Sequence, residues 1–163
     1  MEQRGGRQLD VLTAVEVILW IVLAVFALRG ARWAYAIFIL LGLLWIPART
    51  GFRLHAPPCD GLPSLDLALF ALTKYKHIVL FGLFFLFTWR QFRGARHAML
   101  WSALITMAMG VLIELEEGAT GTGGCHLRDL FPDAAGALLG SGVAGLWGRS
   151  GIFGLHTKRR GED

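Results

Sequence analysis

Charge is scarce in this chain. Asp, Glu, Lys and Arg make up 17% of its 163 residues, against about a quarter in ordinary soluble domains, and that shortage excludes a water-soluble globular domain of usual surface. Cysteine is almost absent: two residues, Cys59 and Cys125, exclude a disulfide-dense scaffold, and with no C-x-x-C or compact Cys/His spacing they give no zinc signature. H-E-x-x-H is missing, as is any recognisable phosphatase or phospholipid-transfer signature, and Ser141 in G-S-G lacks the G-x-S-x-G elbow of a serine nucleophile. There is no internal repeat and no low-complexity tract.

What remains is apolar. With 55% hydrophobic residues and a mean hydropathy of +0.53, the chain reads as an integral membrane protein. Its apolar residues fall in blocks, as needed to cross about 30 Å of hydrocarbon with roughly 20 helical residues. Five blocks stand out: Val11 to Leu28, Ala34 to Ala48, Ile78 to Trp89, Ala98 to Ile113 and Leu130 to Trp147. Winding Lys74 to His77 onto the third brings it to spanning length. Leu65 to Leu72 is short, carries Asp66 and reads as an interfacial helix. Turn residues separate the blocks at Arg29-Gly30, Pro57-Pro58 with Gly61 and Pro63, Arg93-Gly94 and Gly118 to Gly124. The expected fold is therefore all-α, a polytopic transmembrane bundle of about five spans plus one interfacial helix. Arg4 and Arg7 before the first block suggest a secretory signal as its rival. The apolar core is longer than a signal h-region and lacks a good A-x-A site, so it is read as a membrane helix.

Five spans put Arg4, Arg7, Arg49, Arg53, Lys74, Lys76 and Arg128 on one side. Arg29, Arg32, Arg90, Arg93, Arg96, Arg149, Lys158, Arg159 and Arg160 fall on the other, mostly in short loops. The second set predicts a cytoplasmic C-terminus, and Trp33, Trp89, Trp101 and Trp147 lie near that side as an aromatic belt would. Cys59 and Cys125 then share the opposite face. In an oxidising compartment a disulfide can join them; on a cytoplasmic face they stay thiols. A metal site formed with His55 or His126 has no compact spacing to support it.

The ionisable residues are placed by helix periodicity. Glu114 and Glu117, three apart, share a face at the outer end of the fourth span, and Glu116 points away as a solvated terminal residue. Lys74 and His77 are three apart at the outer end of the third span. Asp129 and Asp133 are four apart at the start of the fifth, with Arg128 adjacent. Three helices thus present charged pairs at one depth, and charge inside a span is costly unless paired or wet, which marks a site. Plainer roles compete: Asp129 as a helix cap and Lys74 and Lys76 snorkelling to headgroups. Glu114 has the weakest plain account; Lys74, His77 or Arg128 are its expected partners. Gly136 and Gly140, with Ala137, Ser141, Ala144 and Gly145, give the fifth span a small-residue face for helix packing.

The ordered set K-x-x-H (Lys74, His77), E-x-x-[QE] (Glu114, Glu117) and D-x-x-x-[ND]-x-x-G-x-x-x-G (Asp129, Asp133, Gly136, Gly140) resembles the VanZ-like family of bacterial membrane proteins, over about residues 45 to 142. The chain departs from that pattern at Thr73 (usually Asp), Glu117 (usually Gln), Asp133 (usually Asn) and Gly123 (where an arginine is expected), which makes its site more acidic. The resemblance implies a bacterial inner-membrane protein. On that reading residues 1–10 are a tail, 11–33 an additional first span, 34–148 the VanZ-like domain with external loops 49–73 and 118–128, and 149–163 a basic tail.

The function expected is that of an accessory or binding component of the cell envelope, with a link to resistance against teicoplanin-type glycopeptides. The expected partners are the lipid bilayer and a lipid-linked envelope precursor, a glycopeptide or a partner membrane protein; no cofactor and no nucleic acid is expected. The alternative is a small intramembrane enzyme in which His77 and Glu114 act as acid and base, or bind a divalent metal with Asp129 and Asp133.

Overall fold

The computed structural model describes residues 3–52, 59–61 and 64–149; His55, Arg53 and the basic tail beyond Arg149 lie outside the described residues. Among the described residues the chain is all-helical. The helices are α1 (Gln3–Leu28), α2 (Arg32–Thr50), α3 (Leu65–Ala71), α4 (Tyr75–Phe92), α5 (Ala98–Thr120) and α6 (Leu130–Arg149), with a 3-10 turn at Leu127–Asp129.

Local chemistry sets the helix ends. α1 closes in a Schellman arrangement: Gly30 takes φ 96°, its N–H reaches Ala27 O at 2.8 Å and the Ala31 N–H reaches Phe26 O at 3.0 Å, folding α2 back along α1. α5 stops at left-handed Gly121, whose N–H caps Glu117 O at 2.8 Å. The Ser64 hydroxyl accepts from Leu67 N to start α3. α3 then turns through 72° into α4 across residues 72–74, leaving Lys74 as the cap of α4.

Three boundaries differ from those expected. α1 begins at Gln3, so most of the expected tail of ten residues is helical. α5 does not end at Ile113; it runs two further turns, carrying Glu114, Glu116 and Glu117 inside the helix and moving the loop start from Gly118 to Gly121. The apolar run had to end at the first carboxylate, but backbone hydrogen bonding had no reason to. Arg49 and Thr50, expected in the first external loop, are the last residues of α2.

α4 is the axis of the bundle, packed most extensively on α6 and also on α5 and α1; α2 leans on α1 and α5. The α4–α6 contact is a glycine seam. A Cβ on Gly136 would collide with Ile78 O and sit 2.9 Å from Gly82 N; one on Gly140 would lie 2.8 Å from Gly82 O. Side-chain polarity is inverted relative to a soluble domain. Thr88, Gln91, Ser102 and Thr106 are buried, whereas leucines such as Leu40, Leu83, Leu138 and Leu146 face outward. Several inward polar groups find internal partners: Tyr35 Oη and Thr88 Oγ1 lie 2.8 Å apart, Gln91 Nε2 donates to Ala27 O at 2.6 Å, and Ser102 Oγ donates to Ala98 O at 2.7 Å, while Gln91 Oε1 and Thr106 Oγ1 have no hydrogen-bond partner among the described residues. An apolar exterior with polar groups turned inward is what hydrocarbon as solvent favours. By length and composition, α2 and α5 can each cross a membrane, as can a third segment if the bent pair α3–α4 counts as one span.

Candidate functional site

The 72° bend between α3 and α4 brings the start of α4 against the start of α6. Lys74 and His77 are one turn apart on α4. Asp129, held in the 3-10 turn by its N–H to His126 O at 2.9 Å, and Asp133 are one turn apart on the facing element. Two rungs result. Lys74 Nζ donates to both Asp129 oxygens, at 2.7 and 2.5 Å, and His77 Nδ1 lies 3.1 Å from Asp133 Oδ1. Arg128 Nε is 4.0 Å from Asp129 Oδ1, a weaker third contact. Asp129 is therefore more than a cap, and Lys74 is bound across the bundle instead of snorkelling.

Asp133 is fully buried, and Gly110 makes its room: a Cβ at residue 110 would lie 2.7 Å from Asp133 Oδ2. That contact ties α5 into the site through a glycine absent from the candidate residues of the sequence. A glycine-to-acid contact between separate helices carries no mark in one sequence.

Glu114 takes a different partner from those expected. It is buried, and its Oε2 accepts from the backbone N–H of His126 at 2.7 Å. Lys74 and His77 are committed to Asp129 and Asp133, so Glu114 anchors the loop before the 3-10 turn in place of joining a cation. Glu117 folds over Gly123: a Cβ there would strike the Glu117 carboxylate. Glu116 is not a solvated terminal residue; its Oε1 is buried with no hydrogen-bond partner among the described residues.

A loop clamp lies beside the rungs. Cys59 and Cys125 are joined by a disulfide, with Cα atoms 4.5 Å apart. Asp60 N donates to Cys125 O at 2.9 Å, and Asp60 Oδ2 lies 2.5 Å from His126 Nδ1. Gly118 lets Cys125 pack on α5, a Cβ there being 3.0 Å from Cys125 Cβ. Asp60 was not among the candidate residues, although its position next to Cys59 is the available signal. Glu16 was also missed. It is a lone acid in the first apolar block and pairs with Arg49 Nη2 at 2.8 and 3.1 Å, with the guanidinium 4.1 Å from the Trp45 ring centroid.

At the two rungs, exposure separates the two signs of charge. The Lys74, His77, Arg128 and His126 side chains are 36, 33, 34 and 33% exposed, whereas those of Asp129 and Asp133 are 7 and 2% exposed. Lys74 and His77 face outward with buried carboxylates behind them and Arg128 lies near the same Asp129, whereas His126 pairs with Asp60, which is 60% exposed. Such a rim offers N–H groups to an acceptor such as a phosphate or carboxylate. Among the described residues, no three His, Cys, Asp or Glu side chains are grouped to hold a metal ion. Comparisons with protein-family models, curated proteins and solved structures returned no match.

Proposed function

We propose that this chain is a VanZ-like, five-span protein of the bacterial inner membrane, a binding or accessory component of the cell envelope. The observation that carries this reading is the outward set of Lys74, His77 and Arg128 backed by the buried Asp129 and Asp133. It suits the anionic head of a lipid-linked envelope precursor, with the glycopeptide link as the family-level extension. α1, α4 and α6 join α2 and α5 as spans on this reading. The N-terminus and the disulfide-clamped loops face outward and the C-terminus is cytoplasmic, in keeping with the arginines of the opposite loops.

The test is binding. The full chain in nanodiscs should bind a phosphate-bearing lipid-linked precursor and return it unaltered. His77→Ala and Arg128→Ala should each weaken binding about tenfold, about 1.4 kcal/mol, as expected for losing one charged donor. Equal binding by both variants and the parent chain would overturn the reading. The His77–Asp133 contact favours one rival, an acid–base enzyme, because an engaged Nδ1 leaves Nε2 to exchange protons; conversion of the precursor in the same assay would select it.

Orientation has its own test. A membrane-impermeant phosphine followed by an impermeant maleimide, added to intact spheroplasts, should reduce and label Cys59 and Cys125. Labelling that appears only after lysis would reverse the topology.

A further inference from the structure

At the end of the bundle away from the charged rungs, a cavity of about 650 Å³ opens between α1, α4 and α6. This is within the ~300–1,000 Å³ typical of ligand pockets. Its walls are apolar from Ala24, Leu80, Leu83 and Trp147, and only its far end is charged, by Arg90 and Arg93 beside Trp89. Leu80 and Leu83 are outward-facing, so the cavity is a groove open toward the bilayer. Leu80 to Arg90 covers about 15 Å of helix axis, one leaflet's share of about 30 Å of hydrocarbon. The groove therefore has the length of one acyl layer, with cations where a lipid phosphate lies.

Among the described residues, charge at this end is of one sign. No Asp or Glu occurs between Val17 and Cys59 or between Leu67 and Ile113, the two stretches that supply the α1–α2 and α4–α5 turns with Arg29, Arg32, Arg90, Arg93 and Arg96. We infer that the groove holds an anionic phospholipid of the leaflet on this side, its chain along α4 and its phosphate at Arg90 and Arg93. A second copy of the chain is the less suitable occupant, because two-fold pairing through this groove would set two arginine-rich ends against each other.

The experiment uses the full chain in phosphatidylcholine nanodiscs doped with brominated phosphatidylglycerol or brominated phosphatidylcholine. Tryptophan quenching reports occupancy beside Trp89 and Trp147. A juxtamembrane cation contributes about fivefold toward anionic lipid. Two arginines should therefore give the anionic lipid a preference of about 25-fold, which Arg90→Gln/Arg93→Gln abolishes and Arg90→Lys/Arg93→Lys largely keeps. Ala24→Phe, which fills the groove and leaves both arginines, should also abolish it. Equal quenching by the two lipids would overturn the inference. So would a preference that survives Ala24→Phe, since that is general surface attraction, or a parent particle whose mass shows two chains and whose quenching ignores lipid charge.

Discussion

Lys74→Ala is expected to be the most damaging side-chain truncation at the site, and Asp129→Asn should rescue it. The asymmetry follows from exposure. Asp129 is 7% exposed, so removing Lys74 strands a carboxylate that keeps only the weak Arg128 contact at 4.0 Å; Lys74 is 36% exposed, so removing Asp129 frees an amine that can swing to headgroups. Breaking a buried pair from the side that strands the charge costs about 3–5 kcal/mol. The reverse truncation should cost about 1 kcal/mol, near the value of an exposed pair. In the double variant neither charge is stranded, and stability should return to within about 1–2 kcal/mol of the parent. Thermal midpoints from fluorescence-detected size exclusion in detergent measure all four corners of the cycle. Additive losses, with the double variant the least stable of the four, would show that the two side chains do not share one interaction.

Periodicity was legible in the sequence; partnership was not. Apolar runs locate the helices because a bilayer enforces them, and Lys74/His77 and Asp129/Asp133 are at one-turn spacings that any helix converts into a shared face. Which cation meets which acid depends on the 72° bend before α4 and on the 3-10 turn before α6, neither of which has a periodic signal. Glu114 illustrates the gap. Its burial could be argued from the apolar run before it, yet its partner is a backbone N–H that becomes available only once the loop closes over α5. Spacing puts Glu117 on the face of Glu114 and leaves Glu116 as a solvated helix end, yet Glu116 Oε1 is buried. A helix that turns its acids toward protein can continue, and α5 does so to Thr120. The number of spans suffers from the same ambiguity: length and hydropathy license two or three, and the apolar stretch Thr13–Leu28 of α1 is shorter than a full span.

Gly136→Ala is expected to have an effect out of proportion to one methyl group. The new Cβ would meet Ile78 O, Gly82 N at 2.9 Å and Phe81 Cβ at 3.0 Å, and the first two are backbone atoms that no rotamer change can move. Relief requires α4 and α6 to separate. His77 precedes Ile78 directly and Asp133 is one turn before Gly136, so separation lengthens the 3.1 Å His77–Asp133 contact and strains the Lys74–Asp129 rung above it. Overpacking of this kind costs about 1–3 kcal/mol, and the variant should lose both thermal stability and binding of the phosphate-bearing precursor. Gly140→Ala, facing Gly82 O at 2.8 Å and Phe85 Cβ at 2.9 Å, should destabilise similarly. Being one turn farther from the rungs, it should harm binding less than stability. Gly142 and Gly145 lie on the same helix with nothing within 4 Å of an added Cβ. Alanine there should be neutral or raise stability by up to about 1 kcal/mol through helix propensity. If Gly136→Ala and Gly142→Ala had the same thermal midpoint, the seam would not be the element that holds the charged rungs in register.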